Sequence, residues 1–301
     1  YYSVGAGKLP SGGDAVWGGL QDNGVVLSMP TGATYQGEQL NPAGQMTEPF
    51  GGDGGDELVN PANGCQTVAE YTNLTMQLTN NCGYTANDDG TPSAIVDIAP
   101  GDPNARFIAP FKADAKDAGY WVAGGQYVWV NTKTWASTTE DNGWTKAYDL
   151  TTDSNPAASA TAVASQTHVE NGKPVHVEYA AWCGSCSSTT YNSGVATNQG
   201  GSWHQLPMTY TKADGTSARM PQRFISAVTI DPEPADRSTG GRLPHLFLPD
   251  GRSSFDLLGA ELSLLVQPQG RAQAPAIEQA AKARGVPLTR IDLDPCAAAD
   301  D

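Results

Sequence analysis

Basic residues are scarce in this sequence: 17 lysines and arginines stand against 32 aspartates and glutamates, which gives a formal net charge of −15. A surface of that charge repels the phosphates of nucleic acids and the headgroups of anionic membranes through long-range electrostatics. The composition therefore predicts neither a nucleic-acid partner nor a membrane-surface partner.

Long hydrophobic runs are absent as well. No stretch of 18 consecutive apolar residues occurs, so the sequence predicts no membrane-spanning helix. The chain begins at Tyr1 without a basic and then apolar leader, and we expect a mature chain or a fragment from which any signal peptide is already gone. The expected location is secreted and bacterial-type. Charged residues make up 16% of the chain, which argues against wholesale disorder.

Cysteine is sparse, and five residues are too few for a disulfide scaffold. Four of them precede residue 237 and suit pairing in an oxidising compartment: Cys65, Cys82, Cys183 and Cys186. The last two lie in a Trp-Cys-Gly-Ser-Cys segment that imitates the redox motif of thioredoxins. Thiol activation in such a motif needs a helix N-terminus, whereas residues 187–194 are poor helix formers. We therefore predict a local disulfide between Cys183 and Cys186, or a pair of buried thiols.

Spacings typical of cofactor and metal sites are missing too. No Gly-x-Gly-x-x-Gly segment follows a first strand, so no dinucleotide site is expected. Cys65 and Cys82 lie 17 positions apart, and no second close pair of Cys or His accompanies Cys183 and Cys186. The sequence accordingly predicts no cofactor and no metal.

Glycine (34) and proline (21) are abundant, and the charge is unevenly distributed. Residues 1–236 hold 24 acidic and 10 basic side chains and all seven tryptophans, whereas residues 237–301 hold 8 acidic and 7 basic ones. The seam at 232–241 is rich in proline, glycine and polar residues, as linkers are. We predict two pieces, 1–236 and 242–301, joined at 237–241.

The first piece shows short apolar runs separated by turn residues and no helical period, which predicts an all-β sandwich, barrel or propeller. The runs lie at residues 24–28, 93–98, 106–109, 120–123, 126–130, 175–179 and 224–230. Internal repeats favour the propeller. Strand-turn-strand units with Asp-Pro or Asn-Pro turns are found at 96–108, 57–61 and 228–232, and Trp-containing hairpins at 120–144 and 194–203.

Residues 198–203, Asn-Gln-Gly-Gly-Ser-Trp, resemble the Asp box (Ser-x-Asp-x-Gly-x-Thr-Trp, or BNR repeat) of bacterial sialidase- and xyloglucanase-like β-propellers. Asn198 stands at the usual Asp position and Ala196 at the usual Ser position. Segments 18–24 and 51–56 resemble these proteins as well, so the resemblance spans about residues 15–232. It implies a glycoside hydrolase-like protein with a carbohydrate or protein ligand. At about 40–50 residues per blade, it also implies a partial propeller of about three or four blades, incomplete or closed by another chain.

Glycosidases of this class use paired carboxylates. Asp22, Asp53 and Asp56 are the candidate catalytic residues because glycine-rich turns expose them, and Asp53 is the first choice as acid. The alternative is that these aspartates cap backbone N–H groups of their turns. A sialidase would also need a Tyr–Glu pair, but Glu178 and Tyr179 are adjacent in a strand and point to opposite faces. Whether the first piece is an enzyme or a non-catalytic binding platform stays open at this point.

The second piece reads as strand, helix and strand at 261–266, 275–284 and 288–293, which predicts a parallel βαβ unit. Residues 241–259 closely resemble the start of the C-terminal thioredoxin-like domain of FAD-dependent aromatic and polyketide hydroxylases, and the resemblance covers about 240–295. It implies a truncated α/β fragment that packs and makes subunit contacts but holds no flavin. A portion of a hydroxylase is therefore the third interpretation. A natural fusion, an engineered one and a joining of two sequences are equally compatible with the seam.

Overall fold

The computed structural model describes residues 2–35, 38–40, 44, 46–83, 95–152, 157–170, 172–186, 191–212, 215–219, 223–230, 262–266, 271, 274–284 and 286–292. The chain divides into two compact units. One comprises Tyr1–Tyr210 with Ser217–Ile230, and the other comprises Thr211–Thr216 with Asp231–Asp301.

The first unit is built from four antiparallel sheets of four strands each. The first sheet contains β1 (Ser3–Lys8), β2 (Asp14–Gly19), β3 (Val25–Ser28) and β6 (Thr47–Phe50), with a small hairpin of β4 (Thr34–Tyr35) and β5 (Glu38–Gln39) between its last two strands. The second contains β7 (Glu57–Asn60), β8 (Asn63–Glu70), β9 (Met76–Thr79) and β10 (Ile95–Asp97).

The third and fourth sheets repeat this order. The third contains β11 (Phe111–Ala113), β12 (Trp121–Gly124), β13 (Tyr127–Asn131) and β14 (Trp144–Asp149), with a 3-10 helix at Thr134–Ala136. The fourth contains β15 (Ser159–Glu170), β16 (Lys173–Cys186), β17 (Tyr191–Thr197) and β18 (His204–Gln205). A separate hairpin follows, made of β19 (Thr209–Thr211) and β20 (Ser217–Arg219).

Neighbouring sheets pack against each other through three apolar clusters. Trp17 and Leu27 of the first sheet meet Val59 of the second, and Leu78 of the second meets Trp121 of the third. The third cluster includes Val122, Val128, Val163 and Trp182 of the third and fourth sheets. Burial of a large apolar side chain contributes about 1.5–3 kcal/mol, so these clusters hold the sheets together.

The first strands of successive sheets lie side by side, because β1 contacts β7, β7 contacts β11 and β11 contacts β15. These first strands form an inner row. Within each sheet the second, third and fourth strands follow in order, each further from that row than the one before. The predicted mainly β architecture is confirmed: four sheets in this order are consistent with a partial propeller-like arrangement. Closure of the arrangement by another chain stays a prediction.

The third strand of the second, third and fourth sheets ends on a fully buried polar residue that holds the following turn. The Oγ1 atom of Thr79 accepts the N–H of Gly83 at 2.8 Å, and that of Thr197 accepts the N–H of Gln199 at 3.0 Å. The Oδ1 atom of Asn131 accepts the N–H of Thr134 at 2.7 Å. Each of these sheets therefore carries its own cap at the same position.

The second unit contains β21 (Leu262–Val266), α1 (Ala274–Ala283) and β22 (Leu288–Asp292), and the two strands pair in parallel. The strand-helix-strand order matches the predicted one. The predicted junction at 237–241 and the hydroxylase-like segment 241–259 lie outside the described residues. The resemblance to a thioredoxin-like domain thus stays a prediction. No helix within the described ranges is long and apolar enough to cross a membrane.

Candidate functional site

Asp22 and Asp53, two of the candidate catalytic residues, lie together at the turn between β2 and β3. Asp22 is exposed with a φ of 59°, and its N–H donates to the Oδ1 atom of Asp53 at 2.8 Å. The N–H of Gly24 donates to the carbonyl of Gly52 at 2.6 Å, which fastens the two glycine-rich turns to each other. The carboxylate of Asp53 therefore acts as a cap for the Asp22 turn.

Asp56, the third candidate, immediately precedes β7. Its Oδ2 atom lies 3.0 Å from the Nζ atom of Lys112 on β11, and its Oδ1 atom accepts the N–H of Glu57 at 3.2 Å. The Asp56 side chain is 16% exposed and that of Lys112 is 54% exposed, so the ion pair faces solvent on one side. This pair joins the inner strands of the second and third sheets.

Glu57, the first residue of β7, was not among the sequence candidates. Its residue is 7% exposed, and both carboxyl oxygens are buried without a hydrogen-bond partner of ordinary geometry among the described residues. Burial, and secondarily the charge of Asp56, raises the pKa of Glu57 to about 7; the nearby Ser3 side chain, the Gly19 backbone and Lys112 offset this only in part. A carboxyl group with such a pKa can give or take a proton near neutral pH.

Packing between the first two sheets explains this burial. Gly5 of β1 lies against β7, so closely that a Cβ atom there would lie 2.6 Å from the Cγ2 atom of Val59 and 3.8 Å from the Cγ atom of Glu57. Glu57 and Val59 are both buried and occupy the same face of β7, since residues two apart in a strand share a face. The inner strand thus carries an acidic side chain at an inward, apolar position.

Glu70, at the end of β8, is a second buried carboxyl group and lies on the other side of Asp56. Its oxygens accept the N–H groups of Leu74 at 3.0 Å, Ala109 at 2.9 Å and Asp56 at 3.5 Å. Burial raises the pKa of Glu70 to about 7 even though these three N–H groups act to lower it. Glu70 therefore ties the Asp56 turn to residues 99–110, the linker that leads from the second sheet into β11.

A shallow surface depression lies next to this cluster and is lined by Val25, Phe50, Gly51, Asp53, Ala69, Glu70, Tyr71 and Gln77. It encloses essentially no volume, whereas pockets for small molecules usually measure about 300–1,000 Å³. Tyr71 at its edge is 42% exposed. The geometry suits surface contact with an extended ligand better than engulfment of a small one. No group of three or more potential ligand residues that could hold a metal exists in the part of the chain that the structure describes.

The Asp-box-like segment forms the turn between β17 and β18. The Oδ1 atom of Asn198 accepts the N–H of Glu178 at 2.8 Å, and its Nδ2 atom donates to the carbonyl of His176 at 3.1 Å and to the Glu178 carboxylate. Trp203 stacks on Tyr148 with a centroid distance of 5.1 Å. The Asn198 side chain, at the position of the Asp in an Asp box, therefore fastens the turn to β16, while Thr197 holds the turn itself.

Glu178 has a tyrosine partner, but that partner is Tyr120 and not the adjacent Tyr179. The Tyr120 hydroxyl donates to the Glu178 carboxylate, and the Tyr120 ring stacks on His176 at 3.7 Å. Burial raises the pKa of Glu178, although the hydrogen bonds from Tyr120 and Asn198 lower it in part. Tyr120 is 8% and Glu178 2% exposed, so this pair fastens a loop to the fourth sheet from within the core.

Asp114 anchors the same loop from its other end. The Oδ2 atom accepts the hydroxyl of Ser165 at 2.5 Å, and Oδ1 accepts the N–H of Thr167 at 2.9 Å. Burial raises the pKa of Asp114, but hydrogen bonds from Ser165, Lys116 and Thr167 outweigh it and leave the pKa below its usual value. Residues 114–120 are thereby held against β15 and β16.

Both cysteine pairs of the first piece are disulfides. Cys183 and Cys186 are joined within β16, and a strand there provides no helix N-terminus to activate a thiol. Cys65 of β8 is joined to Cys82, which follows β9, and the two residues are 0% and 5% exposed. The Cys65–Cys82 disulfide therefore cross-links β8 to the segment after β9 inside the core of the second sheet.

Glu57, Glu70 and Lys112 are the functional candidates that sequence reasoning missed. An acidic residue at an inward position of the alternating strand Glu57–Asn60 was the one available signal for Glu57. No sequence signal pointed to Glu70 or Lys112, because Glu70 contacts Ala109 39 residues away and Lys112 contacts Asp56 56 residues away.

No family model and no curated protein matches this chain. Among experimentally determined structures, an ancestral GH74 enzyme is similar at 16% identity and a TM-score of 0.37, over 68% of this chain and 28% of that one. A humanized mutant of the Chaetomium thermophilum Polycomb Repressive Complex 2 bound to an inhibitor is similar at 11% identity and a TM-score of 0.33, over 80% of this chain and 43% of that one. This chain thus spans less than half of either structure, and similarities at this level assign no activity.

Proposed function

We propose that the four-sheet unit is a secreted, glycoside hydrolase-like protein that acts on carbohydrate through Asp56 and Glu57. The observation that carries the proposal is the contrast between these neighbours. Asp56 is paired with the ammonium group of Lys112, whereas Glu57 is buried with a pKa raised to about 7. Two carboxyl groups in unlike surroundings are what acid and base roles require. The two disulfides support an oxidising, extracellular location.

In the proposed reaction Glu57, protonated below about pH 7, gives its proton to the oxygen of the glycosidic bond. Asp56 serves as the carboxylate that activates water or stabilises the positive charge developing on the sugar. Lys112 holds Asp56 in place. Both Glu57 oxygens are buried on the side of β7 that faces β1, whereas Asp56 faces Lys112 of β11. Substrate binding must therefore open the contact between β1 and β7 and bring both carboxyl groups to one glycosidic bond.

The same burial favours a second candidate function, a platform that binds glycan without turnover. Tyr71, which is 42% exposed beside Asp53 and Gln77, offers an aromatic face and polar groups at the surface. Such a combination binds sugar rings by stacking and hydrogen bonding. In this case Glu57 stabilises the sheet contact and takes no part in chemistry.

A panel of soluble β-glucans, xyloglucan and uronic-acid polysaccharides, assayed for new reducing ends and for binding, separates the two. For the hydrolase, Glu57→Gln and Asp56→Asn should each lower kcat by about 10²–10⁴. Asp53→Asn is the matched control for the Asp56–Glu57 assignment and should retain activity, because an amide oxygen can accept the same N–H of Asp22. Saturable binding with no turnover would select the platform, and neither binding nor turnover on any polysaccharide would reject both.

A further inference from the structure

Arg106 occupies an unusual position in the linker between β10 and β11. Its Nη2 atom donates to the carbonyl of Cys183 on β16, 77 residues away, at 3.3 Å. The guanidinium carbon lies 5.1 Å from the ring centroid of Phe224. The side chain therefore reaches from the linker toward the fourth sheet and lies over an aromatic ring.

The charge of Arg106 is uncompensated within the described ranges. Lys8, Lys112 and Lys133 each pair with an aspartate, whereas no carboxylate there forms an ion pair with Arg106. Its Nε atom is buried without a hydrogen-bond partner, and burial lowers the pKa of the guanidinium. An unpaired, half-buried cation is costly, and in a chain with a net charge of −15 acidic partners are plentiful.

Two exposed aromatic residues accompany Arg106: the ring of Phe224 lies against its guanidinium group, and Phe107 is the next residue along the chain. Phe107 is 47% and Phe224 45% exposed, and both are large apolar side chains that folding leaves in contact with water. A guanidinium group binds a carboxylate through two parallel N–H···O bonds, which suits a planar anion better than a point charge. Aromatic faces beside it offer stacking to the C–H groups of a ring that bears the carboxylate.

The linker also connects Arg106 to the acid–base site. Ala109, three positions further along, donates its N–H to Glu70, and Glu70 accepts the N–H of Asp56. Arg106 therefore belongs to a segment that is hydrogen-bonded to the Asp56 turn through one buried side chain.

We propose that Arg106, flanked by Phe107 and Phe224, binds the carboxylate of an acidic sugar. The inference deepens the proposed function, on which its carbohydrate class rests, by naming glycans with an isolated uronic-acid residue as the ligand class. A polyuronate is disfavoured because a net charge of −15 repels a polyanion.

Titration with sodium glucuronate, followed by NMR chemical shifts of the folded chain, tests this. Glucose is the probe without a carboxylate, and acetate is the probe without a ring. Glucuronate should bind more tightly than either. Because hydrogen bonds to a charged group contribute about 1.5–3 kcal/mol, Arg106→Gln should weaken glucuronate by at least about tenfold. The glucuronate affinity of Arg106→Lys should lie between that of the wild type and that of Arg106→Gln. Lys8→Gln, in the first sheet, should leave glucuronate binding unchanged.

Phe107→Ala provides a variant that spares the Arg106 contacts and removes an exposed ring. This variant should bind glucuronate more weakly than the wild type does, and its affinity for acetate should be unchanged. Glucuronate affinity that is unchanged in a folded Arg106→Gln variant would overturn the proposal, as would the absence of glucuronate binding. Acetate binding as tightly as glucuronate would show a general anion site and overturn the sugar assignment. Glu57→Gln should leave glucuronate binding intact, so failure of the hydrolase proposal is measured separately.

Discussion

The buried carboxylate of Glu70 accepts the main-chain N–H of Ala109, 39 residues further along the chain, at 2.9 Å to one oxygen and 3.1 Å to the other. This contact connects the end of β8 in the second sheet to the linker that enters the third. It also fixes the surroundings of Asp56, whose N–H reaches the same side chain.

Replacing Glu70 with Gln should loosen this linker. An amide presents one oxygen in place of two, and its NH₂ group would face N–H donors that then lack an acceptor, at about 1–3 kcal/mol. We expect faster hydrogen exchange at Ala109 and Leu74 in the variant, measured at pH 8, where the wild-type carboxyl is ionised. Glu140→Gln, at an exposed turn, is the control. Equal protection in the variant and the wild type would contradict the linking role of Glu70.

Glu57 should make stability fall as pH rises. Its pKa is raised from 4.5 to about 7 by folding, so the protonated form is retained by the folded chain while the unfolded chain ionises. The stabilisation is complete below pH 4.5 and is lost as pH rises to about 7. Glu57→Gln removes this loss and should gain about 1–3 kcal/mol relative to the wild type between pH 5 and pH 8.

Urea unfolding of both proteins at pH 5 and pH 8 measures the difference. Glu70 shifts in the same direction and remains in both, so the comparison isolates Glu57. A variant whose stability relative to the wild type is the same at both pH values would show that the Glu57 carboxyl is already solvated in the folded chain.

The disulfide between Cys65 and Cys82 should contribute more stability than the one between Cys183 and Cys186. The first closes a span of 17 residues and the second a span of 3. Loop-closure entropy predicts about 3 kcal/mol for the longer loop and about 1.6 kcal/mol for the shorter one. Thermal unfolding of the two double Cys→Ala variants provides the measurement, and a larger loss for the Cys183–Cys186 pair would refute this order.

Restoring the usual aspartate of an Asp box should destabilise this protein. Asn198 donates to the carbonyl of His176 and to the carboxylate of Glu178, and an aspartate can do neither. Asn198→Asp would place two carboxylates together and cost about 1–3 kcal/mol at pH 8, with a smaller loss at pH 5. Melting temperatures at the two pH values test this, and Asn104→Asp, at an exposed turn, controls for added charge. A higher melting temperature for Asn198→Asp would falsify the argument.

The strands were predictable because their signal is local. The short apolar runs in Val25–Ser28, Trp121–Gly124 and Tyr127–Asn131 are visible from neighbouring residues, and each becomes a strand. The turn at Asn198 was recognisable for the same reason. Its glycines at 200 and 201 adopt φ values of 87° and 100°, which other residues rarely reach.

The site was less predictable because its chemistry depends on contacts between distant segments. Burial beside β1 raises the pKa of Glu57. Burial also raises the pKa of Glu178, and a tyrosine 58 residues earlier partly offsets that rise through its hydrogen bond. Asp53 follows a glycine-rich pattern that fits a catalytic turn and a capping turn equally well. The hydrogen bond from Asp22 shows that the folded chain uses Asp53 as a cap, and a catalytic role for Asp53 stays a prediction.

The caps at Thr79, Asn131 and Thr197 make three turns independent of one another. Two threonines and an asparagine perform one task at equivalent ends of three third strands, each using side-chain oxygen and nearby amides of its own turn. Because no cap depends on another, loss of one would release its own turn and leave the other two in place.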